Sequence, residues 1–283
     1  MEFSQAAFAM PEHKHSSNQE ALLKSELGDE TDLDLSGNTV LVTGGATGIG
    51  YALAKEFAEA GSQVIICGRR KSKLQTAKRQ LLSLKVKRCD VAVESERRSL
   101  LKWTTTHFPG LNVLVNNAGI QRKVDFTSPR ISKIISSTDD EVTINLSSQI
   151  RLCALFTPHL LKKENALILN ISSGLAFVPI ASMPVYCATK AAIHSFTTSL
   201  RHQLRNTRVR VIEAVPPATD TELDASFAGP EENAYRGISP REVASAIMEG
   251  LQAGREEIFV GDAERFYQAS LQDPKSIFNK LNG

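Results

Sequence analysis

From residue 39 onward, short apolar runs alternate with longer segments in which apolar residues recur with helical spacing. The short runs are bounded by glycine, proline or polar turn residues, and they predict seven strands, at 39–42, 63–67, 86–89, 112–116, 166–172, 208–215 and 257–260. The longer segments predict six helices, at 48–60, 72–83, 94–107, 139–162, 185–205 and 240–252.

This alternation determines the expected fold class. Strands that alternate with helices pair in parallel through right-handed crossovers. The strand runs are apolar almost throughout, as in a sheet that is covered on both faces. We therefore predict an α/β fold: a doubly wound, Rossmann-like sheet of seven parallel strands in three α/β/α layers. One domain over 35–283 is expected to hold both the cofactor and the substrate site.

Three segments depart from the alternation. Residues 1–34 are polar and charged without sustained apolar periodicity, so we expect a mobile N-terminal extension. Residues 120–138 and 216–239 are long and loop-like, and each follows a predicted strand. Both should lie at the carboxyl edge of the sheet, where open α/β folds bind ligands. We expect 216–239 to form a lid there.

Composition and charge narrow the function. The chain has 283 residues, 42% hydrophobic and 23% charged, with a net charge of +2, which is ordinary for a globular protein. The basic run of Arg69, Arg70 and Lys71 is short, so nucleic-acid binding has little support. No apolar stretch approaches the roughly 20 residues that span a bilayer. The first residues lack the pattern of a secretory signal. We expect a cytoplasmic protein with no membrane span.

The cysteines and histidines do not suggest a metal site. The four cysteines lack CxxC spacing, which favours buried thiols in a reducing compartment over disulfides. The six histidines are scattered without paired ligand spacing, so no metal is expected. His194, one helical turn beyond Lys190, is expected to pack in the core.

A glycine-rich turn follows the first predicted strand. Gly44, Gly48 and Gly50 form the pattern GxxxGxG at the start of a helix. Glycine allows a tight turn and close approach of the backbone to phosphate, and the helix N-terminus supplies free N–H groups. The alternative is a loop that merely needs a positive φ. Because the glycine-rich turn follows the first strand, we favour a site for the pyrophosphate of a dinucleotide. No Gly-Lys-Ser/Thr follows, which disfavours an ATP-binding P-loop.

The end of the second predicted strand bears on the cofactor. NAD enzymes usually place a carboxylate there to bind the ribose 2′-hydroxyl. This strand instead ends in Cys67, Gly68, Arg69 and Arg70. Two guanidinium groups can pair with a 2′-phosphate, whereas the alternative is a solvated basic start of a helix. We predict that NADP(H) is preferred over NAD(H).

A third pattern contains residue types that are suited to catalysis. Tyr186 and Lys190 stand at positions i and i+4 of a predicted helix, so they share one face. A free tyrosine has a pKa of about 10, and a nearby ammonium group favours the phenolate. Tyr186 can therefore exchange a proton with a substrate oxygen, and Ser173 can supply a hydroxyl to hold that oxygen. Each residue alone has an ordinary structural explanation; their combination favours catalysis.

These residues resemble the short-chain dehydrogenase/reductase family over about residues 36–262. Residues 43–50 are similar to the family's TGxxxGIG turn, and 116–119 to its NNAG motif. Four residues match its catalytic tetrad: Asn145, Ser173, Tyr186 and Lys190. The resemblance implies that cofactor is bound by Gly44, Thr47, Gly48, Ile49, Arg69, Arg70, Asp90, Asn117, Ala118, Gly119, Tyr186, Lys190 and Thr221.

The resemblance implies a hydride transfer between NADP(H) and a carbonyl or alcohol of a small or medium-sized organic substrate. Tyr186 would be the proton donor or acceptor, Lys190 would bind the nicotinamide ribose, and Asn145 would orient a proton-relaying water. Helices at 145–162 and 186–205 would form the interface of a homodimer or homotetramer. Two alternatives stay open: a non-catalytic dinucleotide-binding sensor or scaffold, and an epimerase or dehydratase that returns the hydride.

Two positions depart from the family pattern. Pro217 stands where the family commonly has a glycine before the lid, and it removes an N–H group. Thr47 stands where many NADP-dependent members have Arg or Lys. The predicted cofactor preference therefore depends on Arg69 and Arg70 alone.

Overall fold

The computed structural model of the protein describes residues 33–223 and 237–283. Its strands are β1 (Thr39–Thr43), β2 (Gln63–Gly68), β3 (Lys85–Arg88), β4 (Val113–Asn116), β5 (Ala166–Ile171), β6 (Val209–Val215) and β7 (Glu257–Phe259). All neighbouring strands pair in parallel, in the order β3-β2-β1-β4-β5-β6-β7. The predicted seven-stranded parallel sheet is confirmed.

The helices in the described ranges are α1 (Gly48–Glu59), α2 (Lys71–Gln80), α3 (Glu94–His107), α4 (Ile131–Glu141), α5 (Ser148–Leu160), α6 (Pro184–Leu204), α7 (Pro240–Gln252), α8 (Asp262–Gln272) and α9 (Pro274–Asn282). A π-helical segment, Val142–Ser147, joins α4 to α5, and a short 3-10 helix, Gly174–Ala176, follows β5.

Helices cover both faces of the sheet, as the apolar strands require. On one face α1, α2 and α7 pack over a core that contains Val40, Phe57 and Ile247. On the other face α3, α5 and α6 pack over a second core that contains Leu41 and Phe156. Strands β1, β2, β4, β5 and β6 supply residues to both cores, which explains why their sequences are mostly apolar, whereas the edge strand β3 is largely charged.

The strand order reverses beside β1. The chain runs outward from β1 to β3, and then crosses to β4 on the other side of β1. The carboxyl ends of β1 and β4 therefore lie side by side, with Val42 paired to Val115. Such a switch point leaves a crevice at the carboxyl edge of the sheet, where open α/β folds bind their ligands.

The prediction that 120–138 is a loop was wrong in its second half, because α4 begins at Ile131. The segment is rich in serine, threonine and β-branched isoleucine, which have low helix propensity. Ile131 and Ile135 are also exposed, so no buried apolar face marks the helix in the sequence. Helices α8 and α9, beyond the last predicted strand, were likewise not predicted.

Parts of two other predictions fall outside the described residues. Residues 1–32 of the predicted N-terminal extension and residues 224–236 of the predicted lid are not among them. In the described part of the first segment, the N–H of Leu33 donates to the carbonyl of Gln252 at 3.2 Å. In the second, Thr219 and Ile238 form a parallel bridge that joins the two ends of the lid segment.

Candidate active site

The glycine turn after β1 is held against the loop after β4. The Thr43 hydroxyl oxygen accepts the N–H groups of Asn117 at 3.0 Å and Ala118 at 3.1 Å. Gly44 and Gly48 have φ values of 64° and 56°, which favour glycine. A Cβ atom on Gly50 would lie 2.4 Å from Asn117 Nδ2, so a larger residue would push the two loops apart.

This turn can hold an anionic group. Helix α1 begins directly after it, and the preceding Thr47 makes no side-chain cap to the helix. The first N–H groups of α1 and the positive end of its dipole are thus available to a phosphate. The close glycine cradle and the uncapped helix fit a dinucleotide pyrophosphate.

A cavity of about 480 Å³ extends from this turn along the carboxyl edge of the sheet. All the residues predicted to bind cofactor line it: Gly44, Thr47, Gly48, Ile49, Arg69, Arg70, Asp90, Asn117, Ala118, Gly119, Tyr186, Lys190 and Thr221. Ser172 also lines it, whereas the predicted catalytic residues Ser173 and Asn145 are buried next to lining residues and do not line it themselves. The fold therefore brings together residues that are far apart in the chain.

At one end of the cavity the basic residues after β2 face an acid that the sequence analysis missed. Arg70 Nη1 lies 2.8 Å from Glu222 Oε2, and Lys73 pairs with the other oxygen of the same carboxylate. The two cations hold the pKa of Glu222 below its usual range. Arg69 is exposed at the same end. Glu222 lies in the predicted lid, and nothing in the sequence indicates that the lid returns to the basic end of β2.

Tyr186 and Lys190 lie one turn apart near the start of α6, as predicted. Lys190 Nζ is 5.6 Å from the centre of the Tyr186 ring. It donates to the main-chain carbonyl of Ile171, at the end of β5, at 2.9 Å. Burial lowers the pKa of Lys190 to about 8, while the nearby carboxylate of Glu213 acts in the opposite direction. A buried ammonium close to a phenol is an arrangement suited to proton transfer.

Ser173 begins the 3-10 helix after β5. Its Oγ accepts the N–H of Leu175 at 3.1 Å, and only 7% of the residue is exposed. A hydroxyl that accepts in this way can still donate its own proton to a substrate oxygen. The neighbouring Gly174 packs against Ala263 of α8, where an added Cβ would lie 3.4 Å from the Ala263 backbone. Helix α8 thus supports the loop that carries Ser173.

Asn145 lies in the π-helical segment and is completely buried. Its side chain binds the main chain of Ile120 on one side and the Thr189 hydroxyl of α6 on the other. In the part of the chain that the structure describes, Asn145 therefore connects the loop after β4 with α6, the helix that carries Tyr186. π-helical turns of this kind are often found at functional sites.

A polar cluster behind Lys190 was also missed. His194, predicted to be a core residue, binds the buried Glu213 through Nδ1 and Oε2 at 2.8 Å. Candidate ligand atoms of His194, Glu213 and Glu257 lie within 4.8 Å of one another. Arg201 Nη1 lies 3.3 Å from Glu257 Oε1, so a guanidinium already balances this carboxylate. The three residues lie on different elements, which no local spacing could reveal.

The four cysteines, Cys67, Cys89, Cys153 and Cys187, are buried free thiols, as predicted. Burial raises the pKa of Cys153 to about 12, so this thiol is a core group rather than a nucleophile. None of the helices in the described ranges is long and apolar enough to cross a membrane.

Comparison with known proteins gives consistent matches. A family model described as short chain dehydrogenase matches residues 38–232. The chain is 46% identical over 250 residues to the Bacillus subtilis (strain 168) protein named "Uncharacterized oxidoreductase DltE", covering 88% of this chain and 98% of that protein. It is 30% identical over 219 residues to "Uncharacterized oxidoreductase SAR2567" of Staphylococcus aureus (strain MRSA252), covering 77% of this chain and 92% of that protein.

Solved structures agree with these sequence matches. A short chain dehydrogenase from Burkholderia cenocepacia J2315 in complex with NADP superimposes with a TM-score of 0.75 at 25% identity, over 88% of this chain and 99% of that one. A short chain dehydrogenase/reductase from Burkholderia phymatum in complex with NAD has the same fold, with a TM-score of 0.75 at 20% identity, over 89% of this chain and 97% of that one. The chain therefore belongs to the short-chain dehydrogenase/reductase family of oxidoreductases.

Proposed function

We propose that this protein transfers a hydride between NADP(H) and a carbonyl/alcohol pair of a small or medium-sized organic substrate. The observation that carries the proposal is the position of Tyr186 and Lys190: both line the cavity that begins at the glycine turn. The same cavity thus joins a pyrophosphate cradle to a proton donor. A scaffold that only bound nucleotide would have no need for this pair.

Different residues of the cavity bind different parts of the cofactor. The backbone of the turn between Gly44 and Ile49 binds the pyrophosphate, and Asp90 and the segment 117–119 border the adenosine. A bound nicotinamide supplies or accepts the hydride. Lys190 holds the nicotinamide ribose and, as an ammonium, favours the phenolate of Tyr186. Thr221 borders the turn from the lid side, where its methyl group would be 3.1 Å from a Cβ on Gly48.

Proton transfer takes place at the substrate oxygen. In reduction, Tyr186 Oη gives its proton to the oxygen of the carbonyl group while Ser173 Oγ donates a hydrogen bond to it. In oxidation, Tyr186 acts as the general base and takes the alcohol proton. Asn145 keeps the loop at Ile120 and helix α6 at a fixed distance, and it orients a water that relays protons to solvent.

The preference for NADP(H) follows from charge at the adenosine end of the cavity. Arg69 and Arg70 line it, and no carboxylate occupies the end of β2. Glu222 already engages Arg70 and Lys73, so a 2′-phosphate would take the place of this carboxylate.

We further propose a single domain over 35–283 in a cytoplasmic homodimer or homotetramer, with α5 and α6 at the interface. The segment 216–239 would be the lid of this domain, at the carboxyl edge of the sheet. Light scattering of the purified protein tests the assembly: a monomer would contradict it.

The reaction class is tested by incubating the protein with NADPH and a panel of ketones, aldehydes and quinones. We expect a decrease of NADPH fluorescence with a subset of them. Binding of NADPH without consumption in any member, and without NADP-dependent oxidation of the matching alcohols, would favour a sensor instead. Transient oxidation that reverses without net turnover would favour an epimerase or dehydratase.

A further inference from the structure

The polar cluster behind the candidate site includes a buried acid with a single described partner. Glu213 lies on β6 and is completely buried. Its Oε2 binds His194 Nδ1 at 2.8 Å, while Oε1 has no hydrogen-bond partner among the described residues. A buried carboxylate is costly unless nearby charges compensate it.

The sheet register places Glu213 next to the proposed proton-transfer site. Its Cα pairs with that of Asn170, the residue before Ile171 on β5. The Ile171 carbonyl is the one that accepts from Lys190 Nζ at 2.9 Å. His194, the direct partner of Glu213, stands one helical turn after Lys190 on α6. Lys190 and His194 therefore face the same part of the sheet.

The charged groups around Glu213 come from two elements besides its own strand. Helix α6 presents Lys190, His194 and Arg201, and β7 presents Glu257. Arg201 pairs with Glu257 at 3.3 Å, and of the residues that the structure describes, Lys190 and His194 are the cations on which Glu213 acts. Glu213 affects the pKa of each of these two cations. It opposes the effect of burial on the pKa of Lys190, and it raises the pKa of His194.

We propose that Glu213 is a positioning residue for proton transfer: its buried carboxylate keeps Lys190 charged beside Tyr186, and His194 compensates that carboxylate on the solvent side. This inference rests on the proposed function, because it assigns a purpose to the charge of Lys190. His194 can compensate the charge of Glu213 because 31% of its side chain is exposed, so its proton can exchange with solvent. In this proposal, charge interactions connect His194 at the surface with Glu213, Glu213 with Lys190, and Lys190 with Tyr186.

The direct test is a pH titration of the Lys190 ammonium group, monitored by NMR of protein that carries isotope-labelled lysine. Lys190→Met identifies the resonance. Glu213→Gln keeps the size of the side chain and an acceptor for His194 while removing the charge. We expect it to lower the titration midpoint of Lys190 by about one pH unit, as loss of a nearby opposite charge does. Glu257→Gln, the matched control, removes a neighbouring carboxylate and should leave the midpoint unchanged.

An unchanged midpoint in Glu213→Gln, or an equal shift in Glu257→Gln, would overturn the proposal. If Glu213→Gln does not fold, the double variant Glu213→Gln with His194→Gln removes both charges together, and the same downward shift of Lys190 is expected. An unchanged midpoint in the double variant would also overturn it.

A second readout concerns the reaction. With Lys190 less charged, the phenolate of Tyr186 loses its stabilising partner. The acid limb of the kcat/KM profile for alcohol oxidation should then move to higher pH by about one unit in Glu213→Gln but not in Glu257→Gln. The lysine titration needs no substrate or turnover. A failed proposed function would therefore leave the shift of Lys190 intact, whereas a failed role of Glu213 would leave activity and its pH profile intact.

Discussion

Asn145 binds both main-chain polar groups of Ile120. Its Oδ1 accepts the N–H at 2.8 Å, and its Nδ2 donates to the carbonyl at 2.8 Å. The same Nδ2 lies 3.2 Å from the Thr189 hydroxyl, which donates to the carbonyl of Tyr186 at 2.7 Å. One buried amide therefore fixes the loop after β4 relative to the helix that carries the proposed proton donor.

This relationship predicts the effect of Asn145→Ala. The substitution leaves the N–H and carbonyl of the half-buried Ile120 without their partner, at a cost of up to about 1–3 kcal/mol for each group. We expect a loss of unfolding free energy on the order of 3 kcal/mol in urea titrations and a fall in kcat of roughly tenfold or more, because the loop and Tyr186 lose their common support.

Asn38→Ala is the matched control for this substitution. Asn38 also makes three side-chain hydrogen bonds, at the other end of the sheet. It should lose stability with no change in kcat. Full kcat in folded Asn145→Ala would show that the amide has no part in the reaction.

The cofactor preference is tested at Arg69. Arg69→Ala removes a guanidinium from the cavity end where the 2′-phosphate is proposed to bind, so the Kd for NADPH should rise roughly tenfold or more while that for NADH changes little. Isothermal titration with each nucleotide measures both values. Arg79→Ala is the control, because Arg79 is an exposed arginine of α2 that bonds Thr76 instead. Equal affinities of the unmodified protein for NADPH and NADH would refute the preference.

A buried acid near the site makes stability depend on pH. Glu141 is completely buried; its Oε1 accepts the N–H of Arg122 at 3.0 Å. Burial raises its pKa from 4.5 to about 7. The folded state therefore binds a proton that the unfolded state releases, so stability falls as pH rises between these two values.

Glu141→Gln removes this penalty. The quantity compared is the unfolding free energy of the variant minus that of wild type. We expect this difference to be about 2 kcal/mol larger at about pH 8 than at about pH 5. Urea unfolding at both pH values gives the comparison. Asp140→Asn is the neighbouring control, because Asp140 is half-exposed and pairs with the Arg122 guanidinium. The same relative stability of Glu141→Gln at both pH values would contradict the explanation.

Most of the sheet could be predicted because its inner strands are apolar on both faces and are bounded by turn residues. Strand β5, for example, is buried at every position. That the proposed cofactor-binding residues line one cavity could be predicted because they lie in short local patterns at strand ends, such as 43–50 and 116–119. All of these ends meet at one edge in a parallel sheet, so local pattern and topology lead to the same cavity.

The contacts missed by the sequence analysis are long-range. Glu222 meets Arg70 across 152 positions, and Glu213 meets His194 from a different element, so neither pair leaves a local pattern. Helix α4 was missed for another reason. Its isoleucines at 131 and 135 are exposed instead of forming a buried face, and its polar residues favour turns as much as helix.

Turnover by Tyr186→Phe tests the central claim most directly. The substitution removes one hydroxyl from a side chain that is 5% exposed and retains the ring beside Lys190. With a substrate identified from the panel, kcat should fall roughly a hundredfold or more, while the Kd for NADPH stays close to that of wild type. A kcat equal to that of wild type would show that another group transfers the proton, and the proposed reaction site would be wrong.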